Sequence, residues 1–130
     1  MKNIITCFIF LLFIGCTTLK DIRTFNPEYI TNSSENPKKI YDCIVYQCQN
    51  NFPGFHINII EKDDTFYITI SSVGFLGVIP FDEITVKSKS QNGSIIELRS
   101  NHDFIKYMPN KLIEIINSCA SPTPQITPAR

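Results

Sequence analysis

The sequence of 130 residues lacks the features that mark several common classes of protein. Its charge is balanced, with 12 basic and 12 acidic residues, and it has no Lys/Arg cluster of the kind that binds nucleic acid. No apolar run reaches the roughly 20 residues that a membrane-spanning helix needs. Gly-x-Ser-x-Gly, His-Glu-x-x-His and phosphate-binding loop motifs are all absent. We therefore expect no nucleic-acid partner, and no enzyme of these common types.

Histidine is scarce, and its placement does not favour a metal site. His56 and His102 have no ligand spacing, and the cysteines include no second closely spaced pair. His102 and Asp103 are adjacent, and neighbours on a helix do not face each other, so they predict a helix cap and not an acid–base pair. The sequence thus predicts no metal, no cofactor and no catalytic residues.

The N-terminus has the layout of a secretory signal peptide. Lys2 is followed by an apolar run from Ile4 to Ile14, broken only by Thr6, and then by the small residue Gly15. A basic start, an apolar segment of about 7 to 15 residues and a small residue at the cut are the elements of such a signal. We expect residues 1–15 to be removed.

The residues Phe13-Ile14-Gly15-Cys16 resemble the lipobox of bacterial lipoproteins. The resemblance implies cleavage after Gly15 and lipidation of Cys16, which would hold the chain permanently on a membrane. Phe13 stands where that family usually has Leu, and the alternative is an ordinary signal peptide that leaves Cys16 as a thiol. Thr17 and Thr18 follow instead of Asp, which by the same analogy implies the outer membrane, facing the periplasm, in a host with two membranes.

The remaining chain is long enough for one domain. Residues 16–35 hold scattered apolar residues without a period and predict a tether. Residues 36–120 carry regular periodicity and predict a single α+β domain. Residues 121–130 contain three prolines and predict a disordered tail.

Periodicity within the domain predicts a helix, four strands and a second helix. Asn36-Pro37 is a good helix start, and the helix should run to about Asn50. Period-two alternation around 55–70 and around 84–99 predicts two hairpins, the second with Asn92-Gly93 in its turn. The stripe of Ile105, Met108, Leu112, Ile115 or Ile116, and Cys119 predicts the last helix. We expect a four-stranded antiparallel sheet with both helices on one face.

Three cysteines remain after removal of Cys7 and lipidation of Cys16. In an oxidising compartment, Cys43, Cys48 and Cys119 predict one disulfide and one leftover thiol. Helical spacing leaves open whether Cys43 or Cys48 is the partner of Cys119. The chain also resembles small envelope lipoproteins that have a Cys-Ile pair in an early helix and a Cys closing a final helix, and that resemblance implies Cys43 with Cys119.

The segment from Val73 to Phe81 is apolar where a polar connection between hairpins is expected. One interpretation, which we favour at this point, is that it folds over an open end of the core. The other is an exposed interaction loop formed by Phe75, Leu76, Val78 and Ile79 for a protein partner or the membrane surface.

These features together predict a non-catalytic periplasmic lipoprotein, anchored in the membrane through its lipid, that binds or scaffolds another envelope component such as a protein. The alternative is an inhibitor or immunity-type protein that acts on a periplasmic enzyme or toxin.

Overall fold

The computed structural model describes residues 19–75, 77–89, 92–101 and 108–121. Within these ranges the chain is an α+β protein with three helices and one five-stranded antiparallel sheet of order β1-β5-β4-β3-β2. The helices are α1 (Leu19–Thr24), α2 (Pro37–Asn51) and α3 (Met108–Ala120), and the strands are β1 (Tyr29–Ser33), β2 (His56–Lys62), β3 (Thr65–Gly74), β4 (Gly77–Ser88) and β5 (Ser94–Ser100).

Some predictions fall outside the described residues. These are the signal peptide over residues 1–15, the lipidation site Cys16, the interaction-loop residue Leu76, the His102-Asp103 cap with the helical turn up to Tyr107, and the tail over residues 122–130.

The prediction of four strands was wrong, because β1 adds a fifth. It lies within the segment predicted as a tether, pairs antiparallel with β5 from Tyr29↔Leu98 to Ser33↔Ser94, and receives a further bond from the Glu28 N–H to the Leu98 carbonyl (2.8 Å). Five residues are too few to show a clear alternation. Their hydrogen-bond partners lie more than 60 residues away along the chain, so the strand depends on tertiary pairing.

Helix α2 begins and ends close to the predicted positions for local reasons. The Asn36 side chain accepts a hydrogen bond from the Lys38 N–H (2.8 Å), and Pro37 occupies the first turn, where its missing N–H costs nothing. The buried residues Ile40, Ile44 and Cys48 form the predicted i, i+4, i+8 stripe.

A two-residue turn sets the register of the first predicted hairpin, and the connection that closes the second, over residues 89–93, ends in two positive-φ residues. Asp63 and Asp64 have φ of 52° and 57° between β2 and β3, as a two-residue hairpin turn requires. Asn92 and Gly93, between β4 and β5, have φ of 69° and 107°, which confirms the positive-φ positions expected there. A Cβ on Gly93 would also lie 2.4 Å from the Ser33 carbonyl oxygen, so only glycine fits.

The core lies between one sheet face, which we call the core face, and helices α2 and α3. The central strand β4 places Ile84 between Ile68 and Leu98, and Val86 between Phe66 and Ile96. The helix residues against them are buried as the periodicity predicted; in α3 they include Met108, Leu112, Ile115, Ile116 and Cys119. The two predicted helices thus share one face of the sheet.

Helix α1 was not predicted, and it packs on the opposite side of the sheet, which we call the α1 face. It contacts β4 and β5, its Ile22 is fully buried, and its Arg23 binds Glu83 of β4. Glu83 alternates with the core residue Ile84, so its side chain points away from α2 and α3. Residues 19–35 therefore belong largely to the domain.

A disulfide joins Cys43 of α2 to Cys119 of α3. This is the pairing that the resemblance to small envelope lipoproteins implied. Cys48, the alternative partner, is a buried free thiol in the core.

Replacing Cys119 with Ser should destabilise the protein. The disulfide links residues 76 positions apart, and constraining such a loop stabilises by roughly 4 kcal/mol in the chain-entropy model. Chemical denaturation of the chain from residue 17 onward measures the loss, with Cys48→Ala as the control that keeps the bond. Thiol titration of the denatured, non-reduced chain should find one thiol in the wild type, two in Cys119→Ser and none in Cys48→Ala. A Cys48–Cys119 peptide in mass mapping would contradict the pairing.

Candidate functional site

Strands β3 and β4 extend as a hairpin beyond the strands that flank them. Pairing of β2 with β3 stops at His56↔Ser71, and pairing of β5 with β4 stops at Ser100↔Asp82. The two central strands continue through Ser72↔Ile79, Val73↔Val78 and Gly74↔Gly77. We call residues 72–75 and 77–79 the hairpin tip. No other strand of the described residues flanks this ribbon, and a two-stranded ribbon alone has little packing of its own.

The hairpin tip presents apolar side chains to solvent. Phe75 is fully exposed at 105%, Val73 is 68% exposed and Val78 is 60% exposed, while Ile79 is half-buried. The sequence contains no charged residue from Thr65 to Phe81. An exposed apolar surface of this kind, uninterrupted by charge, makes the hairpin tip a candidate site of interaction.

A β-bulge separates the hairpin tip from the core. Ile70 pairs with Asp82 and Ser71 pairs with Pro80, so Phe81 is an extra residue on β4. Its side chain is buried and meets the Phe55 ring edge to face, with centroids 5.8 Å apart. A bulge redirects side chains locally and strengthens the twist. Here it turns Phe81 toward the core at the point where the exposed ribbon begins.

The structure corrects the interpretation of Val73–Phe81 as a loop that closes the core. Its described residues form the end of β3, the turn residue Phe75 and the start of β4, and of these only Pro80 and Phe81 are buried. Phe75, Val78 and Ile79, which the sequence analysis named as interaction residues, lie together at the hairpin tip. The apolar run looked like core because composition does not reveal that the neighbouring strands end before it.

The sequence did not predict the ion pair on the α1 face between the buried carboxylate of Glu83 and the partly exposed Arg23. The carboxylate of Glu83, with no exposed side-chain surface, accepts hydrogen bonds from Arg23 Nε at 3.1 and 2.9 Å and one from the Thr69 hydroxyl at 3.4 Å. The Arg23 guanidinium also lies 4.5 Å from the centre of the Tyr67 ring, within reach of a cation–π contact. Nothing local in the sequence could have paired two residues 60 positions apart.

Burial dominates the ionisation of Glu83. It raises the pKa of this carboxyl above its ordinary value, although Arg23 and Thr69 act in the opposite direction. Nearby, burial also acts to raise the pKa of Glu97, but hydrogen bonds from Lys87 (3.1 Å) and Arg99 (2.9 Å) outweigh it and hold the pKa below its ordinary value. The α1 face thus has two carboxylates with opposite responses to pH.

Cys48 is a free thiol, a type of group that can act as a nucleophile. Burial, with a smaller contribution from the nearby charge of Asp82, raises the pKa of its thiol to about 12. A thiol reacts as its thiolate, so Cys48 is unreactive near neutral pH.

The described residues contain no group of three or more His, Cys, Asp or Glu side chains placed to hold a metal ion. In the same part of the chain, no helix is both long enough and apolar enough to cross a membrane.

Comparison with known proteins adds no assignment. The chain matches no protein-family model, and no curated protein is significantly similar to it.

Phe75→Ala should leave stability almost unchanged. The side chain is fully exposed, and surface substitutions usually change the free energy of unfolding by less than about 0.5 kcal/mol. Phe81→Ala is the matched control, because the same substitution six positions later removes a buried ring. It should lower the free energy of unfolding by about 3 to 5 kcal/mol. Urea denaturation of the two variants measures the contrast. Comparable losses in both would mean that Phe75 also packs on the core.

Glu83→Gln and Glu97→Gln should change the pH dependence of stability in opposite directions. A raised pKa in the folded state gives a stabilising contribution that is present below the ordinary carboxyl value, about 4.3, and lost as pH rises through the folded value. The advantage of the wild type over Glu83→Gln should therefore shrink as pH rises toward neutral. A lowered pKa has the opposite sign, so the advantage over Glu97→Gln should shrink as pH falls.

The measurement is the free energy of unfolding of the wild type and both variants from acidic to neutral pH. The difference between the wild type and each variant is then compared across that range. Parallel curves for the two variants would contradict the assignment of opposite shifts to Glu83 and Glu97.

Proposed function

We propose that this protein is a non-catalytic lipoprotein, anchored in the outer membrane and facing the periplasm, that binds or scaffolds another envelope component through the hairpin tip. The observation that carries the binding role is the full exposure of Phe75 on an uncharged ribbon that extends past the rest of the sheet. A side chain of this size contributes strongly to the free energy of binding when a partner buries it away from water.

The anchor rests on the lipobox residues Phe13-Ile14-Gly15-Cys16, with lipidation at Cys16. The Cys43–Cys119 disulfide supports the same location, because such bonds persist in oxidising compartments such as the periplasm.

A non-catalytic role is supported by the state of the buried reactive groups. The carboxylate of Glu83 is already bound by Arg23 and Thr69, and the buried thiol of Cys48 is held in its protonated form. Neither group is available to a substrate as a base or a nucleophile at neutral pH.

The second candidate is an inhibitor or immunity-type protein that acts on a periplasmic enzyme or toxin. The narrow, protruding shape of the hairpin tip favours it, since a ribbon of two strands can enter a cleft. The near absence of polar side chains on the ribbon weighs against it, because hydrogen bonds fix orientation in a specific site.

A photo-reactive amino acid at position 75 should form adducts with an envelope component in intact cells, whereas the same residue at position 46 should not. Tyr46 is the control because it is 66% exposed on α2, away from the hairpin tip. In a Cys16→Ser background the protein should leave the membrane fraction, since its acyl chains are lost, and the adduct should disappear with it.

Equal membrane fractionation of Cys16→Ser and wild type would overturn the anchor. Equal adduct yields at positions 75 and 46 would overturn the role of the hairpin tip. An adduct with a periplasmic hydrolase or toxin would select the inhibitor.

A further inference from the structure

The hairpin tip has the chemistry of a lipid contact. Its described side chains are apolar except for Ser72, and no charge occurs between Thr65 and Phe81. A specific protein interface carries a polar rim and roughly one hydrogen bond per 100 to 200 Å², for which this surface has few groups. Insertion into the interface of a bilayer is driven by the apolar area that is buried, and it needs no matching set of hydrogen-bond partners.

Helix α1 brings the proposed anchor close to the folded domain. Ile22 is fully buried and Arg23 is bound to Glu83, so α1 is fixed on the sheet. Only Thr17 and Thr18 separate Cys16 from Leu19, where α1 begins. Three residue steps span at most about 11 Å. A lipid on Cys16 would therefore hold the domain at the membrane surface, and not at the end of a 20-residue tether.

The apolar pair at the hairpin tip lies on the same side of the sheet as α1. Alternation along β3 runs from Thr69, which contacts Glu83 on the α1 face, through Ser71 to Val73. Val73 is directly opposite Val78, so both valines share that side. Glu83 and Val78 are five residues apart on β4, or roughly 17 Å, so a membrane next to α1 is within reach of the hairpin tip.

We propose that in the anchored protein the hairpin tip inserts Phe75, Val73 and Val78 into the bilayer that holds the acyl chains of Cys16. The inference rests on the proposed lipid anchor and names the lipid surface as the component that the hairpin tip binds. The domain is then attached at two points, the acyl chains and the hairpin tip, which fixes its orientation on the membrane.

The chain has no tryptophan, so one substitution creates a unique fluorescent reporter. The test uses the full-length, acylated protein carrying Phe75→Trp, purified from membranes and reconstituted into vesicles of phosphatidylethanolamine and phosphatidylglycerol. Lipids brominated on their acyl chains should quench this tryptophan, and aqueous iodide should not. Tyr46→Trp, at an exposed position on α2, should show the reverse pattern in the same vesicles. Adding Val78→Asp to the Phe75→Trp protein should abolish most of the quenching by brominated lipid, since a charge at that depth is costly.

Three other outcomes would overturn the inference, and the measurements distinguish them. Mass spectrometry that finds no acyl groups on Cys16 would remove the anchor and the inference with it. An acylated protein whose residue 75 remains accessible to iodide would overturn the inference alone. Protection from iodide without quenching by brominated lipid would place residue 75 inside a protein contact, with a partner or a second copy of the chain, and would also overturn it.

Discussion

The packing of α2 and α3 against one face of the sheet is the constraint on which the rest of the structure depends. The central strand β4 supplies Ile84 and Val86 to that core, and the disulfide from Cys43 to Cys119 ties the two helices together. A domain of this size gains considerably from a covalent link, because its core alone stabilises it only marginally. With the core face filled, the remaining elements can only occupy the opposite face and the ends of the strands.

The α1 face shows the consequence. Its positions on the central strands include the polar and charged residues Thr69, Glu83 and Thr85, and α1 covers part of this face through Ile22 and the Arg23–Glu83 pair. Burying a carboxylate costs free energy even when the carboxylate is paired. The Arg23–Glu83 pair therefore does not by itself indicate a large contribution to the stability of the fold. The clearer effect of Glu83 is that it holds Arg23, and with it helix α1, at a fixed place on the sheet. That position sets how far the domain can stand from an anchor at Cys16.

The hairpin tip shows a second consequence. The flanking strands end at His56 and Ser100, whereas β3 and β4 continue paired only with each other among the described strands. An exposed Phe on an uncharged ribbon promotes self-association in a freely diffusing protein. A protein held at a membrane can place the same side chain in lipid, so the proposed anchor and the proposed lipid contact of the hairpin tip belong to one arrangement.

The sequence by itself determined the elements whose causes are local. The Asn36 cap, the Asn92-Gly93 turn, the stripe of α2 and the alternation in both hairpins each depend on residues close together in the chain, and all four could be predicted. Tertiary structure decided the rest. Strand β1 and helix α1 are too short to stand alone, and each is held by a residue 60 or more positions away, Leu98 for β1 and Glu83 for α1. The apolar character of Val73–Phe81 was visible in the sequence, but its exposure was not, because exposure depends on where the neighbouring strands stop. Hydrogen bonds and burial between distant segments are properties of the folded chain, and no local pattern encodes them.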